Sequence, residues 1–529
     1  MDPSEMSNRE VKQRSSQEKT RREEETQLLH AEAEHLEKIT AHIQWKRHLE
    51  VIKAKILEEV HNQLSDLLDK TLEEAAHSRP QQLSVIPAKQ ESREKGQLLK
   101  KKVFVPQWSL FDTLLEVEHF RTIHHIFVAM LCIFVLKQIT VDSIDEGRLV
   151  LDFELFINGF RQLPTALLAW LCMFLYTLFV PFQALQMWSG CLKTTRFPNL
   201  LTATLVFLVL LCHAAVLGFF PVYIIVYSNL GIASRKIVLF EQIRFLMKSY
   251  AFLRESMPPL LHARNQVGKI SCPEFSTYLY FLFCPTLIYR KSYPRDPYIR
   301  WNYVIRKLVE FLAGVYFLNF LLKYYFIPYF GNIHKQPFTI KIQLLSIFDS
   351  VILGLSFLLI INYTFLHCWP NAWAEILRFA DRSFYKDWWN STSFSTFFRS
   401  WNGIVHDWLY WYIYQDFLWL MGKRARAGAM FMVFLLSAVA HEYIITFSFG
   451  FFYPILFVFF AMIGVSFHFV LNDKRKGPFW NIIILLCLLL GSAMFFSLYC
   501  QELFGQVHCP LKEKTFWGQV TPRSWSCHP

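Results

Sequence analysis

Charge is the scarcest ingredient of this chain. Asp, Glu, Lys and Arg supply 18% of its 529 residues, against about 25% in soluble domains, and hydrophobic residues reach 53%. That imbalance excludes an ordinary soluble globule and implies a membrane protein. The 11 Cys are scattered, mostly inside apolar runs, with no C-x-x-C pair and no metal-like spacing. Most of them read as inert buried thiols rather than metal ligands or a redox pair. No cleavable signal peptide is expected, and the first apolar span is expected to serve as the membrane address. No G-x-S-x-G elbow marks a covalent nucleophile. The stretch HEYII at 441–445 lacks the second histidine of H-E-x-x-H, which sets zinc aside, and no metal is expected.

The apolar runs fall near 122–140, 164–188, 201–228, 237–253, 304–328, 341–368, 429–449, 451–471 and 479–500, about nine spans by hydropathy. The fourth is weak because Glu241, Arg244 and Lys248 interrupt it. An all-α polytopic membrane protein is therefore expected. The net charge of +12 suits nucleic acid poorly, because the basic residues form short clusters beside the apolar runs. The clusters LKKK (99–102), LKTTR (192–196), KRAR (423–426) and DKRK (473–476) fall on one side, which the positive-inside rule makes cytoplasmic. Arg235 and Lys236 are the exceptions. The other side receives the acidic loop VDSIDEGRLVLDFE (141–154) and the C-terminus. There Cys509 and Cys527 would meet an oxidising lumen, as a bridge or as two free thiols.

Three domains are expected: residues 1–105, polar and mainly helical; 106–500, the membrane body; and 501–529, a luminal tail. Ile39, Ile43, Leu49, Ile52, Ile56, Val60, Leu64 and Leu67 recur mostly at three- and four-residue steps. Such a stripe serves self-association, or packing on the membrane domain or on lipid. Residues 78–98 read as a linker.

Three stretches can carry chemistry. His441 and Glu442 lie in the middle of AMFMVFLLSAVAHEYIITFSFG (429–450), and ionisable groups at that depth are functional candidates. A neutral imidazole there suits proton removal from an alcohol, with the substrate itself supplying the attacking hydroxyl. The alternative is a packed histidine, the reading given to His213 and His468. RSWNGIVHDWLYWYIYQD (399–416) reads as one amphipathic helix with Asn402 and His406 on one face. Asn402 is either a donor to a developing oxyanion or a helix cap. FYKDWWN (384–390) is either an interfacial anchor or a ligand-holding loop. Lys386, Arg399, Lys423, Arg424 and Arg426 can meet phosphates beside Trp388 and Trp389. A transporter satisfies these features too.

The ordered set FYKDWWN, WN (401–402), HDW (406–408) and SAVAHEY (437–443) resembles the sterol O-acyltransferases of the membrane-bound O-acyltransferase superfamily. So do EVEHFRTIHH (116–125), SIDEGRLVLDFEL (143–155), FEQIRFLMKSY (240–250) and the tail with TPRSWSCH. Several stretches look most like the intestinal and hepatic isozyme. The resemblance implies an endoplasmic-reticulum, multi-pass enzyme, with cytoplasmic N-terminus and luminal C-terminus, that moves a long acyl group from acyl-CoA to the 3β-hydroxyl of cholesterol. It implies no cofactor, acyl-CoA being a substrate, and a homodimer or homotetramer in the lipid bilayer. His441 matches the catalytic histidine and Asn402 its supporting asparagine. Acyl-CoA contacts map onto Thr396, Arg399, Asn402, His406, Tyr414, Arg426 and Ser437, a sterol contact onto His119, and a luminal disulfide onto Cys509 and Cys527. Phe384, Tyr385, Lys386, Asp387, Trp388, Trp389 and Asn390 would shape the mouth through which acyl-CoA enters.

The chain also departs from the family pattern. STFFRSWN (395–402) stands where SNYYRTWN is expected, so Thr396 replaces an amide and Phe397 and Phe398 lose hydroxyls. Arg426 replaces a Lys. Pro370 replaces a Leu and is expected to break or kink its helix. The rival readings are a diacylglycerol acyltransferase and a non-catalytic sterol-binding or lipid-transport protein.

Overall fold

A computed structural model describes residues 102–147, 153–263, 272–336, 339–422, 424–460, 477–510 and 516–527. The chain divides into two units, Met1–Gln97 and Leu98–Pro529. The 39–67 stripe, the 78–98 linker and His468 lie outside the described residues. Among those residues the protein is helical with no strand, only two isolated bridges, Gln107 to Asp381 and Arg295 to Phe379.

Among the described residues, six helices are long and apolar enough to cross a membrane: Glu118–Asp145, Glu154–Leu192, Pro198–Tyr227, Val351–Ile376, Arg426–Phe449 and Pro478–His508. A helix closes every backbone hydrogen bond within itself, which is what a medium without water demands. The runs at 237–253 and 304–328 are helical as well, the first within Ile232–Ala263 and the second across Trp301–Leu321, Leu322–Phe326 and the start of Ile327–His334. They carry fully buried lysines, so they pack as polar-seamed helices against their neighbours. Lys248 donates to the carbonyls of Phe281 (2.5 Å) and Cys284 (2.8 Å), covering the end of the helix Phe275–Phe283. Lys307 meets Asp112 (3.2 Å), Glu310 (3.0 Å) and His367 Nε2 (2.8 Å). Most of the 451–471 run is outside the described residues. The acidic stretch expected as a loop from residue 141 begins as helix instead, which continues to Glu146 and ends at Gly147 with φ 66°. There the left-handed conformation suits glycine.

Pro370 does not break its helix. A proline lacks the N–H that would bond the carbonyl four residues back, and its ring crowds that carbonyl. In three places the backbone widens there into a π turn: Ala214–Phe219 before Pro221, Leu322–Phe326 before Pro328, and Asn362–Cys368 before Pro370. Each turn contains the carbonyl its proline cannot serve, and the helix then continues. At Leu217 the freed carbonyl accepts instead from Gln242 Nε2 (2.7 Å), and Gln242 Oε1 accepts from Tyr443 Oη (2.9 Å). The proline compensation thus ties the Pro198–Tyr227 helix, through Ile232–Ala263, to the helix that carries His441. The expectation that His213 is a packed histidine agrees with its contacts to Tyr176 Oη (2.9 Å) and Ser249 Oγ (2.5 Å).

The last spanning helix among the described residues, Pro478–His508, runs past residue 500. Glu502 accepts from the N–H groups of Arg523 (2.8 Å) and Ser524 (3.0 Å) and from Ser524 Oγ (2.7 Å). The tail therefore folds back onto this helix, and Cys509 is bridged to Cys527 with Cα atoms 5.9 Å apart.

Candidate active site

FYKDWWN is a folded loop with most of its aromatics turned into the core. Phe384, Tyr385 and Trp388 are buried, Trp389 is half-buried, and Lys386, Asp387 and Asn390 are exposed. Trp388 meets Trp401 at 4.9 Å and Phe397 at 6.1 Å between ring centroids. Tyr385 Oη lies 2.9 Å from His367 Nδ1. Backbone bonds join the loop to the segment that follows it: Lys386 N to Ser400 O (2.8 Å) and Gly403 N to Phe384 O (2.8 Å). Asn481 of the helix Pro478–His508 fastens it from the far side, donating to the carbonyls of Trp389 (2.7 Å) and Ser391 (3.0 Å). A Cβ at position 403 would sit 3.0 Å from Ser383 O and 3.1 Å from Phe384 O. Glycine at 403 is what lets the next residue's chain lie against the motif.

Residues 399–416 are not one helix. Phe394–Trp401 ends at Asn402, whose φ of −136° and ψ of 88° are extended, and Gly403–Trp408 begins after it. Asn402 Oδ1 accepts from Val405 N (3.2 Å), so the cap reading of this residue is realised. The amide Nδ2 donates to no group among the described residues. A capped asparagine can therefore still offer its N–H₂ to a ligand. Thr396 is engaged locally: its hydroxyl accepts from Ser393 N (3.1 Å) while Ser393 Oγ accepts from Thr396 N (3.1 Å), a reciprocal cap at the helix start. Arg399 bonds back to Ser395.

Beyond the cap, His406, Tyr410 and Tyr414 form a ladder. Their rings are nearly parallel, with centroids 6.2 Å and then 5.5 Å apart. Residues four apart share a helix face, and the π turn Leu409–Tyr414 keeps the steps aligned. Tyr410 was not among the residues singled out from sequence, although the spacing in HDWLYWYIY contains it. Asp416, further along, pairs with Arg254 (2.5 Å). Arg426 is exposed at the start of its helix.

His441 lies well inside the helix Arg426–Phe449, yet its side chain is accessible. Nδ1 is 2.7 Å from the backbone carbonyl of Ser437 and 3.4 Å from Ser437 Oγ. A carbonyl only accepts, so Nδ1 carries the hydrogen and Nε2 presents its lone pair. The imidazole stacks on Phe460, centroids 4.5 Å apart at 16°. Phe460 meets Phe398 at 5.6 Å, and Phe398 meets Phe434 at 5.6 Å. Phe398 belongs to the helix that ends at Asn402, so these aromatics join the two motifs at one place. Phe460 gives no sequence signal of this role.

Glu442 faces the other way and is buried. Its carboxylate accepts from Phe457 N (3.2 Å) and lies 3.3 Å from Tyr499 Oη, which also donates to Tyr453 O (2.7 Å). Glu442→Ala leaves the Phe457 N–H without this acceptor, while Tyr499 keeps the Tyr453 carbonyl, a loss of about 1–3 kcal/mol. Thermal unfolding in detergent should register it, and Glu442→Gln, which keeps an acceptor oxygen, should lie near the parent. Equal melting of the alanine variant and the parent would refute this bracing role.

His119 is exposed on the first spanning helix, and its side chain makes no hydrogen bond, ion pair or ring contact with another described residue. Its neighbour His124 does, meeting Phe111 at 5.8 Å and Tyr363 at 5.9 Å. Among the described residues no group of three or more His, Cys, Asp or Glu side chains is placed to hold a metal ion.

Among the described residues, several spanning helices frame an accessible histidine well inside one of them, joined through Phe460 and Phe398 to the segment beside the aromatic loop. The chain belongs to the membrane-bound O-acyltransferase family, whose model matches residues 153–501, and it is an O-acyltransferase. It is 50% identical over 490 residues to Sterol O-acyltransferase 2 of Homo sapiens, covering 92% of each chain. Similarity to Sterol O-acyltransferase 2 of Mus musculus is also 50%, over 92% of this chain and 93% of that protein. Sterol O-acyltransferase 1 of Chlorocebus aethiops matches at 45% over 80% of this chain and 78% of that one. The higher identity and wider coverage of the former agree with the isozyme expected from sequence.

Proposed function

We propose that this protein transfers a long-chain fatty acyl group from acyl-CoA to the 3β-hydroxyl of cholesterol, forming a cholesteryl ester and free CoA. The names of its relatives support a sterol acceptor. The observation that carries the chemistry is the bond between His441 Nδ1 and the Ser437 carbonyl. It commits Nε2 to act as a base. Nε2 takes the hydroxyl proton as the sterol oxygen bonds to the thioester carbonyl carbon. The tetrahedral intermediate then collapses, the C–S bond breaks, and the imidazolium gives its proton to the CoA sulfur. Asn402 Nδ2 donates to the oxygen on which charge develops.

Acyl-CoA enters from the cytosol, with Arg399, His406, Tyr414 and Arg426 along its path and Thr396 and Ser437 acting chiefly through their local bonds. Sterol, itself apolar, enters from the bilayer, with His119 on the first span as its contact. Residues 1–105 are assigned to a cytoplasmic region that builds a homodimer or homotetramer, 106–500 to the catalytic body, and 501–529 to a luminal tail, in the endoplasmic-reticulum membrane.

The test is ester formation in microsomes carrying the protein, with radiolabelled oleoyl-CoA and either cholesterol or diacylglycerol. Labelled cholesteryl ester is expected. Triacylglycerol in its place would overturn the acceptor, and no product from either would return the protein to a binding or transport role.

A further inference from the structure

A short extended segment ahead of the first spanning helix is sewn to both halves of the site. Gln107 N donates to Ala380 O (3.0 Å), and Arg382 N donates to Gln107 O (3.0 Å). Asp381 accepts from Val105 N (3.3 Å) and Gln107 Nε2 (2.9 Å). Ser109 Oγ reaches His367 Nδ1 (3.1 Å), and Asp112 accepts from Tyr303 Oη (2.5 Å) and pairs with Lys307. Residues 380–382 lead directly into FYKDWWN, so these bonds set where that loop begins.

At its other end the segment reaches the second motif. Lys102 Nζ forms an ion pair with Asp407 Oδ2 and lies over the Phe104 ring at 5.0 Å. The Lys102 carbonyl accepts from Arg290 Nε (3.4 Å), so the lysine is fixed at backbone and head. The pair is partly sheltered, with 19% of the lysine and 25% of the aspartate side chain exposed. Burial raises the Asp407 carboxyl, but His406 and Lys102 together draw it below its ordinary value. Its second oxygen lies 3.7 Å from His406 Nδ1. That is beyond hydrogen-bond length, and the carboxylate acts there through charge. It favours the hydrogen on Nδ1 and leaves Nε2, at the head of the Tyr410 and Tyr414 ladder, to face a ligand.

We infer that Lys102 is a positioning residue for the acyl donor: paired with Asp407, it sets the orientation of His406 and so the affinity for acyl-CoA. The inference rests on the acyl-CoA reading of this face and is independent of which alcohol accepts the acyl group. Nothing in sequence order suggests the pair, whose members lie 305 positions apart.

The test uses the full-length protein purified in detergent, with radiolabelled oleoyl-CoA binding measured beside KM and kcat for esterification. Lys102→Ala and Asp407→Asn are expected to weaken oleoyl-CoA binding and raise its KM about two- to fivefold, the range of a partly exposed ion pair, with kcat held. Lys102→Arg should restore the parent values, which a loss of folded protein would not allow. In a His406→Ala background, Lys102→Ala should add little, because the two act through one contact. Unchanged binding in Lys102→Ala, or an undiminished effect in the His406→Ala background, overturns the inference while leaving the acyl-CoA reading intact. A parent protein that binds no oleoyl-CoA overturns both.

Discussion

His441→Ala is expected to lower kcat for ester formation by about 10²–10⁴-fold, the usual contribution of a positioned general base, while oleoyl-CoA binding stays near the parent value. The physical case is specific to this ring. Its Nδ1 hydrogen is held by a backbone carbonyl that no side-chain substitution removes, and its plane is fixed by stacking on Phe460. Orientation and tautomer are thus set before substrate arrives, and alanine removes only the lone pair on Nε2 and the ring behind it. Ser437→Ala keeps the carbonyl and so the tautomer, and its loss should be far smaller. The measurement is initial-rate esterification at matched expression, with binding read separately. Full turnover by His441→Ala would reject the base assignment; a loss of binding equal to the loss of rate would make the residue a binding group instead.

The sequence disclosed the site unevenly, for physical reasons. His441 and Glu442 stand out because ionisable residues in an apolar run have few structural excuses, and the two then prove to face different partners, Phe460 and Tyr499. FYKDWWN announces itself by composition, but composition does not say that Tyr385 and Trp388 are core while Lys386 is exposed. The single helix expected through 399–416 is interrupted at Asn402. A four-residue spacing looks the same in one helix or across a junction, and only the Asn402 cap and the close approach at Gly403 decide. Pro370 shows the converse, since a residue that breaks an isolated helix is absorbed by a π turn when neighbours hold both halves. Lys102 with Asp407, and Phe460 with Phe398, depend on tertiary proximity alone and leave no local pattern.

Asn402→Asp is expected to lower kcat by about 10²–10³-fold, the scale for losing one donor to a developing oxyanion, with little change in stability. The observed cap and the proposed donor role use different atoms of this side chain. Oδ1 caps the helix Gly403–Trp408 through Val405 N, and Nδ2 is the group left to the ligand. Aspartate is as good a cap as asparagine, so the helix start should survive, but its carboxylate has no N–H to donate and adds negative charge where negative charge must build. Asn402→Ala removes both atoms. It should match the aspartate variant in lost rate and add a stability cost of about 0.5–2 kcal/mol for the missing cap, visible as a lower melting temperature. If the aspartate variant turns over like the parent while the alanine variant melts early, Asn402 is a cap alone, and the oxyanion must be met by another donor. If both lose rate and only alanine loses stability, one residue builds the helix with its oxygen and serves the reaction with its nitrogen.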